Sequence, residues 1–458
     1  MPPQPPAQPP NAPDAPPGAT APETRPGRSR HAATRKGRPG PPGPQRPGPE
    51  PHRPAAEPPA PPAGAGRATQ EPSPAPPPAG PRPRTRDRYF DLLRAIALFR
   101  VVFYHLMGWA WLPVVFPSMG VMFALAGNLM ARSLAKRPAP AVIRGRVRRL
   151  LPPLWLLGVI GVTGMLLGGW GPDDGEAHPV GWWLHLAFWI VPVSDPPYGE
   201  GLPGVHGLLG EDWTTAMGVP LWYLRAYLWF VFLSPLMLRA LRAAPWPTIL
   251  APIALSAALE YGPASVPYWR VDSALSDVGA FGACWLLGMA HQQGVLRRIP
   301  RYAVLSLAPA VGAAGLWHAL SAGLRQGHDL DDMPFAQSLW SFATVLLLLH
   351  ISPAWQEWPR RLRRWDGLIT LLNSRAVTIY LWHNLCIALT ESLWDHLWDV
   401  PALETHAAWL LESPWPQLPL VWLLTALCVL CFGWTEDLAA SRTPRLWPTG
   451  DPGAHRSR

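Results

Sequence analysis

Two ionisable side chains, Arg94 and His105, lie in the first strongly apolar run of the chain. In a helix, eleven residues make three turns plus about 20°, so both side chains project from one face, about 16 Å apart along the axis. Asp91 falls on the same stripe, whereas Ile96 and Phe99 lie on the opposite side. An ionisable group at membrane depth is costly unless it is paired or hydrated. The pattern therefore indicates a helix with one lipid-facing side and one functional polar side.

The chemistry that these residue types suggest is proton transfer by His105. A neutral imidazole is well suited to take a proton from a hydroxyl near neutral pH, and such a base typically contributes about 10² to 10⁴ in rate. Asp91 and Arg94 are three residues apart and can pair on adjacent turns, whereas His105 has no charged partner nearby in the sequence. The alternative is a histidine hydrogen-bonded to a neighbouring helix, and the residues alone leave both interpretations open.

Four arginines lie close together before the third apolar run: Arg144, Arg146, Arg148 and Arg149. Clustered guanidinium groups can bind phosphates bidentately, as a nucleotide-tailed donor such as acyl-CoA would require. A basic loop is also the ordinary feature of the cytoplasmic side of a membrane protein, and composition favours that simpler interpretation. Pro152 and Pro153 follow, and because proline suits the first turn of a helix, we expect the third span to begin there.

A third group of candidates is Tyr380, Trp382 and His383 in a late apolar run, together with Arg225 in an earlier one. Aromatic residues at such positions are often interface anchors, but these could also line a substrate site. In that case His383 would orient a substrate or His105. Arg225 needs a partner inside the bundle, because an unpaired charge is unfavourable there.

Apolar runs long enough, or nearly long enough, to cross a bilayer occur at ten places: 92–111, 114–131, 150–169, 218–238, 247–261, 273–290, 302–320, 335–352, 368–390 and 416–434. The sequence thus predicts an all-α integral membrane bundle of about ten transmembrane helices. Arginines and a lysine follow the second, fourth, sixth and eighth runs, and the intervening loops are acidic, so we expect a multi-pass cell-membrane protein with both termini cytoplasmic. The shorter run 180–193 is expected to be an interfacial or re-entrant helix that could cover an outward-facing pocket.

The start of the chain has a different composition from the rest. About half of the 61 prolines lie in residues 1–86, and this segment carries most of the formal net charge of +9. Without apolar periodicity it cannot build a core, so we expect a disordered cytoplasmic tail with polyproline II character. No aromatic residue lies among its charges, which favours attraction to an anionic membrane over nucleic-acid binding. The expected membrane domain covers 87–440, and a short cytoplasmic tail covers 441–458.

Together, these residues resemble the acyltransferase 3 family of polytopic membrane enzymes, over about residues 88–434. The resemblance rests on the order and spacing of four features: Asp91, Arg94 and His105 in the first span; FPSMGVMFALAGNLM around Gly127; Arg146 and Arg149 before Pro152; and IYLWH ending at His383.

The resemblance implies transfer of an acyl group, often acetyl, from cytoplasmic acyl-CoA to a hydroxyl of a sugar, polysaccharide or other acceptor. It implies that His105 is the catalytic base, that Arg94 is an essential charge and that Arg146 with Arg149 contacts the donor. Acyl-CoA would be a co-substrate, with no permanently bound cofactor and no metal. Ala126 and Tyr227 replace a serine and a glutamate that are usual in the family, so a carboxylate partner for His105 is not identified.

Two other classes of function fit parts of the pattern. A transporter could use Arg94, His105 and His383 as a substrate or proton path, although no internal repeat or matched pair of broken helices is visible. A silent membrane scaffold could recruit SH3-like partners through the proline-rich segment.

Overall fold

The computed structural model describes residues 87–172, 179–204, 208–263, 266–353 and 355–445. In these ranges all regular secondary structure is helical, and no strand occurs. The proline-rich segment 1–86, predicted to be disordered, and residues 446–458 lie outside the described residues.

The α-helices follow one another in this order: α1 Arg88–Met107, α2 Leu112–Val115, α3 Ser118–Leu134, α4 Ala139–Leu167, α5 Pro179–His185, α6 Ala187–Ile190, α7 Trp213–Gly218, α8 Leu221–Ala243, α9 Pro245–Tyr261, α10 Trp269–Gln292, α11 Arg301–Ala322, α12 Pro334–Ile351, α13 Asp366–Ser374, α14 Ala376–Asp395, α15 Pro401–Leu411, α16 Gln417–Phe432 and α17 Trp434–Ala439. Short 3-10 helices occur at Leu296–Arg298, Leu324–Gln326, Leu330–Asp332 and Arg363–Trp365.

Each of the ten predicted runs overlaps a helix, but the described residues contain five helical stretches that are both long and apolar enough to cross a membrane. These are α4, the continuous stretch from α7 to α8, α10, α11 and α12. Helices α3, α9 and α16 have 17, 17 and 16 residues. Helices α1 and α14 have 20 residues each but carry more polar side chains. The run at 180–193 forms the short helices α5 and α6.

Both ends of α1 are fixed by local chemistry. The Asp87 side chain accepts a hydrogen bond from the Tyr89 backbone N–H at 3.1 Å, as an N-cap does. At the other end Gly108 has a φ of +63°, a conformation that favours glycine, and its N–H bonds to the Tyr104 carbonyl. The helix therefore ends at Met107, earlier than the apolar run predicts, and His105 lies in its last turn.

Helix α4 begins well before the predicted start of the third span. Pro152 and Pro153 lie inside it rather than in its first turn, and the four clustered arginines lie on its first half rather than in a loop. Proline removes a backbone hydrogen bond from a helix, but helices packed in a membrane bundle tolerate this where neighbours satisfy the freed carbonyls. The arginines consequently follow the helical period.

Glycines allow α3 and α10 to cross closely. A Cβ atom on Gly127 would collide with the Trp285 carbonyl oxygen, and one on Gly288 would collide with the Ala124 carbonyl oxygen. Small residues at helix crossings in membranes let backbones approach and increase van der Waals contact. This contact fixes α3 against the centre of the bundle.

Candidate active site

Two histidines from distant parts of the sequence lie side by side. The ring centroids of His105, in the last turn of α1, and His383, on α14, are 5.1 Å apart. His383 is completely buried, whereas His105 is exposed. Helix α1 thus presents an accessible imidazole against a second imidazole fixed inside the protein.

The hydrogen bonding of His383 assigns its tautomer. Its Nδ1 atom lies 2.6 Å from the Tyr380 carbonyl oxygen, and because a carbonyl only accepts, Nδ1 must carry the proton. The Nε2 atom then has a free lone pair, and it is buried with no hydrogen-bond partner among the described residues. A buried acceptor of this kind next to His105 can receive a hydrogen bond from the His105 ring or from a substrate hydroxyl.

A cavity of about 350 Å³, here called the arginine cavity, has Tyr380 in its lining. Its basic residues are Arg94, Arg146, Arg149 and Arg442. Its aromatic lining consists of Tyr223, Tyr227 and Tyr380. Because the Tyr380 carbonyl is bonded to His383, the cavity wall and the histidine pair are joined through one residue.

Arg94 is held in the arginine cavity by contacts between α1 and α13. Its Nη1 donates to the Asn373 Oδ1 atom at 3.2 Å, and Asn373 Nδ2 donates to the Asp91 carbonyl oxygen at 2.8 Å. Asp91 is buried. The Asp91 and Arg94 part of the predicted stripe is therefore polar and turned inward, while Ile96 and Phe99 on the other side are 42% and 45% exposed, as expected for lipid contact.

The helical period of α4 sorts the four clustered arginines into two pairs. Arg146 and Arg149 are three residues apart, share a face and line the arginine cavity. Arg144 and Arg148 lie about 200° of helical rotation from Arg146 and do not line it. Arg148 instead donates to the Ala439 carbonyl oxygen and to Ser441 Oγ.

Two other candidates have contacts of a structural kind. Arg225 is buried and forms ion pairs with Asp277, at 2.6 Å, and with Asp195. Trp382 stacks on Phe432 with ring centroids 4.3 Å apart, which packs α14 against α16. Neither lines the arginine cavity.

Glu436 is a site residue that the sequence does not reveal. It lines the arginine cavity from α17, and its Oε1 accepts hydrogen bonds from the Thr378 N–H at 2.7 Å and the Thr378 hydroxyl at 2.6 Å. Burial raises the pKa of Glu436 to about 7, although the bonds from Thr378 oppose the rise. A glutamate just after the last apolar run has no special signature, so only the folded chain identifies it.

A polar cluster lies close to His105, formed by residues of α1 and of the loop between α11 and α12. The Arg100 guanidinium lies 4.7 Å from the centre of the Tyr104 ring, and its Nε and Nη2 atoms are buried without a hydrogen-bond partner among the described residues. Tyr104 donates a hydrogen bond to Asp329, and Gln337 Nε2 donates to Asp331 Oδ1 at 2.9 Å.

Asp331 has accessible surface, and desolvation by the surrounding protein raises its pKa to about 7. The loop between α11 and α12 thus supplies carboxylates close to the end of α1, where the sequence identified none. More than 200 residues separate this loop from His105, so no local sequence pattern indicates that the two lie close together.

A second cavity, of about 600 Å³, shares Arg94 and Leu129 with the first. Its other basic residues are Arg132, Arg297, Arg301, His291 and His350. It does not contain Tyr380 and so lacks the connection to the histidine pair. Among the described residues no group of three or more His, Cys, Asp or Glu side chains is arranged to hold a metal ion.

The family model Acyl_transf_3, described as an acyltransferase domain, matches residues 87–434. The chain belongs to the acyltransferase 3 family. No curated protein and no solved structure matches it. With its apolar helices, this acyltransferase 3 protein is a multi-pass membrane protein. The matched range contains the histidine pair, Arg94, Arg146 and Arg149, but it ends before Glu436 and Arg442, which also line the arginine cavity.

Proposed function

We propose that the protein is a membrane-embedded acyltransferase that moves an acyl group, most simply acetyl, from acyl-CoA to a hydroxyl of a carbohydrate or other acceptor. The observation that carries this proposal is the connection between the arginine cavity and the histidine pair. Guanidinium groups of the kind that bind phosphates line the cavity, and Tyr380, which also lines it, is bonded through its carbonyl to His383 beside His105.

The separation between Arg94 and His105 suits a long donor. Eleven residues of helix place the two side chains about 16 Å apart along the axis, too far for both to touch one reacting carbonyl. A donor whose phosphates and thioester are joined by a long flexible arm would bridge them, with its phosphates at the arginines and its thioester at His105. We therefore assign Arg94 to binding of the acyl donor and not to the reacting carbonyl.

The proposed reaction needs no covalent enzyme intermediate. His105 takes the proton of the acceptor hydroxyl while the hydroxyl oxygen attacks the thioester carbonyl carbon. The tetrahedral intermediate collapses, the carbon–sulfur bond breaks, and the proton on His105 passes to the departing thiolate to give free CoA and the ester. His383 orients the His105 ring through its Nε2 lone pair.

We further propose that the protein lies in the cell membrane with both termini in the cytoplasm. The arginine cavity is formed near the start of α1, the start of α4 and the segment after α16, all of which the charge pattern assigns to the cytoplasmic side. Cytoplasmic acyl-CoA would then enter from that side, and the acceptor would reach His105 at the other end of α1.

Donor binding separates this function from transport. We expect CoA to raise the melting temperature of the purified full-length protein, and the double variant Arg146→Ala, Arg149→Ala to lose most of that increase. Arg363→Ala, which removes an exposed arginine outside both cavities, is the matched control. A wild-type protein that ignores CoA would contradict the acyltransferase and favour a transporter.

A further inference from the structure

The chain continues past the family match and returns to the arginine cavity. Residues 434–445, here called the C-terminal segment, comprise α17 and the turn after it. Its cavity-lining residues are Glu436, Asp437, Ala440 and Arg442. A segment that the sequence assigns largely to the edge of the membrane domain and a short tail is therefore part of the cavity wall.

Two arginines from other helices hold the C-terminal segment in place. Arg375, fully buried at the junction of α13 and α14, donates to the Gly433 carbonyl at 2.6 Å and pairs with Asp437 at 2.7 Å. Arg148 binds the Ala439 carbonyl and Ser441 Oγ. The backbone N–H of Arg442 bonds to the Asp437 carbonyl at 2.8 Å. These contacts fix the position of the Arg442 backbone, from which its side chain extends.

The charges of the cavity are unbalanced. Besides Arg94, three guanidinium groups line it, those of Arg146, Arg149 and Arg442. Of its two carboxylates, Asp437 is already paired with Arg375, and Glu436 has a pKa raised to about 7. The guanidinium of Arg442 makes no hydrogen bond to the described residues. Like charges gathered in one cavity repel each other unless an anion lies between them. A multiply charged phosphate ligand supplies such an anion and accepts bidentate bonds from arginine.

We propose that Arg442 is a donor-binding residue that contacts a phosphate of acyl-CoA together with Arg146 and Arg149, so that the C-terminal segment completes the donor site. The proposal rests on the proposed function, because it takes acyl-CoA as the donor. It adds a phosphate contact that lies outside the range matched by the family model.

The test compares CoA with pantetheine, which has the same thiol arm but no phosphates, as ligands of the purified full-length protein. We expect Arg442→Ala to weaken CoA binding about tenfold or more, as loss of a charge-assisted contact does, and to leave pantetheine binding unchanged. Arg442→Lys keeps the charge but not the planar fork and is expected to restore part of the affinity. Arg363→Ala is the control for removing an arginine from the surface.

The outcomes separate this proposal from the proposed function. Wild-type protein that binds no CoA overturns both. Wild-type protein that binds CoA, with Arg442→Ala binding it equally well, overturns the role of Arg442 and leaves the acyltransferase intact. Loss of CoA binding in Arg297→Ala but not in Arg442→Ala would place the phosphates in the second cavity and would also overturn the proposal. Because Arg442→Lys preserves charge and size, partial rescue distinguishes lost contact from misfolding.

Discussion

His383 is fixed by a bond to its own helix. Its Nδ1 proton goes to the Tyr380 carbonyl, which leaves Nε2 as a buried acceptor beside His105. An Asn side chain can keep a donor near the position of Nδ1 but has no atom at the position of Nε2.

We therefore expect His383→Asn to lower kcat by up to about 100-fold, as loss of precise orientation can do, and to leave the KM for acyl-CoA nearly unchanged. Steady-state kinetics with varied donor measures both constants. A rise of similar size in the KM for acyl-CoA, with no loss of kcat, would contradict a positioning role for His383.

We expect Glu436 to make the proposed donor binding depend on pH. Its raised pKa of about 7 means that it is neutral below this pH and negatively charged above it. A charged Glu436 repels phosphates in the same cavity, so we expect the affinity of the wild type for CoA to fall relative to Glu436→Gln as the pH rises through 7. The ratio of the two dissociation constants cancels the titration of CoA itself. A ratio that is constant with pH would contradict the assignment.

At the residue scale, the helical period predicts which face of a helix is buried, but it does not predict contacts between residues far apart in the sequence. It placed Asp91 on the buried side of α1 and Ile96 and Phe99 on the exposed side, as the structure has them. It could not bring His383 to His105, because 278 residues separate them and a single sequence carries no distance information. For the same reason, the sequence alone does not predict that Glu436 lines the arginine cavity.

At the element scale, the crossing of α3 and α10 depends on residues without a side chain. Gly127→Ala places a methyl group against the Trp285 carbonyl, so the helices must separate. We expect a loss of about 1–3 kcal/mol in stability, the usual cost of overpacking, seen as a lower melting temperature of the detergent-solubilised protein.

Gly145→Ala is the matched control for this substitution. It also adds a methyl group to a helical glycine, but nothing lies within 4 Å of its position, and alanine favours helix more than glycine does. Its melting temperature should equal or exceed that of the wild type. Equal melting temperatures for Gly127→Ala and the wild type would show that the two helices can repack at no cost.

Helix ends were harder to predict than helix positions. Apolar runs locate the segments that can lie in a bilayer. A helix, however, continues through polar residues where its backbone hydrogen bonds can form, and it stops where a cap forms. Helix α4 thus extends back to Ala139 through its arginines, and α1 stops before Gly108. The junction at Arg375 divides one predicted span into α13 and α14, because a buried guanidinium there binds the segment after α16.

At the scale of the whole molecule, the described residues that line the arginine cavity all lie at or after Arg94. We therefore expect deletion of residues 1–80 to leave CoA stabilisation and acyl transfer within about twofold of the wild type, because the truncated chain keeps all of the described residues that line the cavity. Activity of the truncated protein in membranes, normalised to its amount, checks this. Loss of transfer with retained expression would show that the proline-rich segment takes part in the reaction or in recruiting the acceptor.

The family and the all-helical class could be predicted from the sequence, because they depend on the order of short motifs and on the spacing of apolar residues. The number of membrane-spanning helices was harder to predict from the sequence. Helix α1 contains Asp91, Arg94 and Arg100, so its composition differs from that of an ordinary membrane crossing.

The central claim is that the arginine cavity binds the donor and that His105 performs the chemistry. The most direct test measures both in His105→Ala, with His406→Ala, an exposed histidine outside the site, as control. We predict that His105→Ala in membranes is stabilised by CoA as the wild type is but transfers no labelled acetyl group from acetyl-CoA to acceptor. Transfer by His105→Ala at the wild-type rate would contradict it.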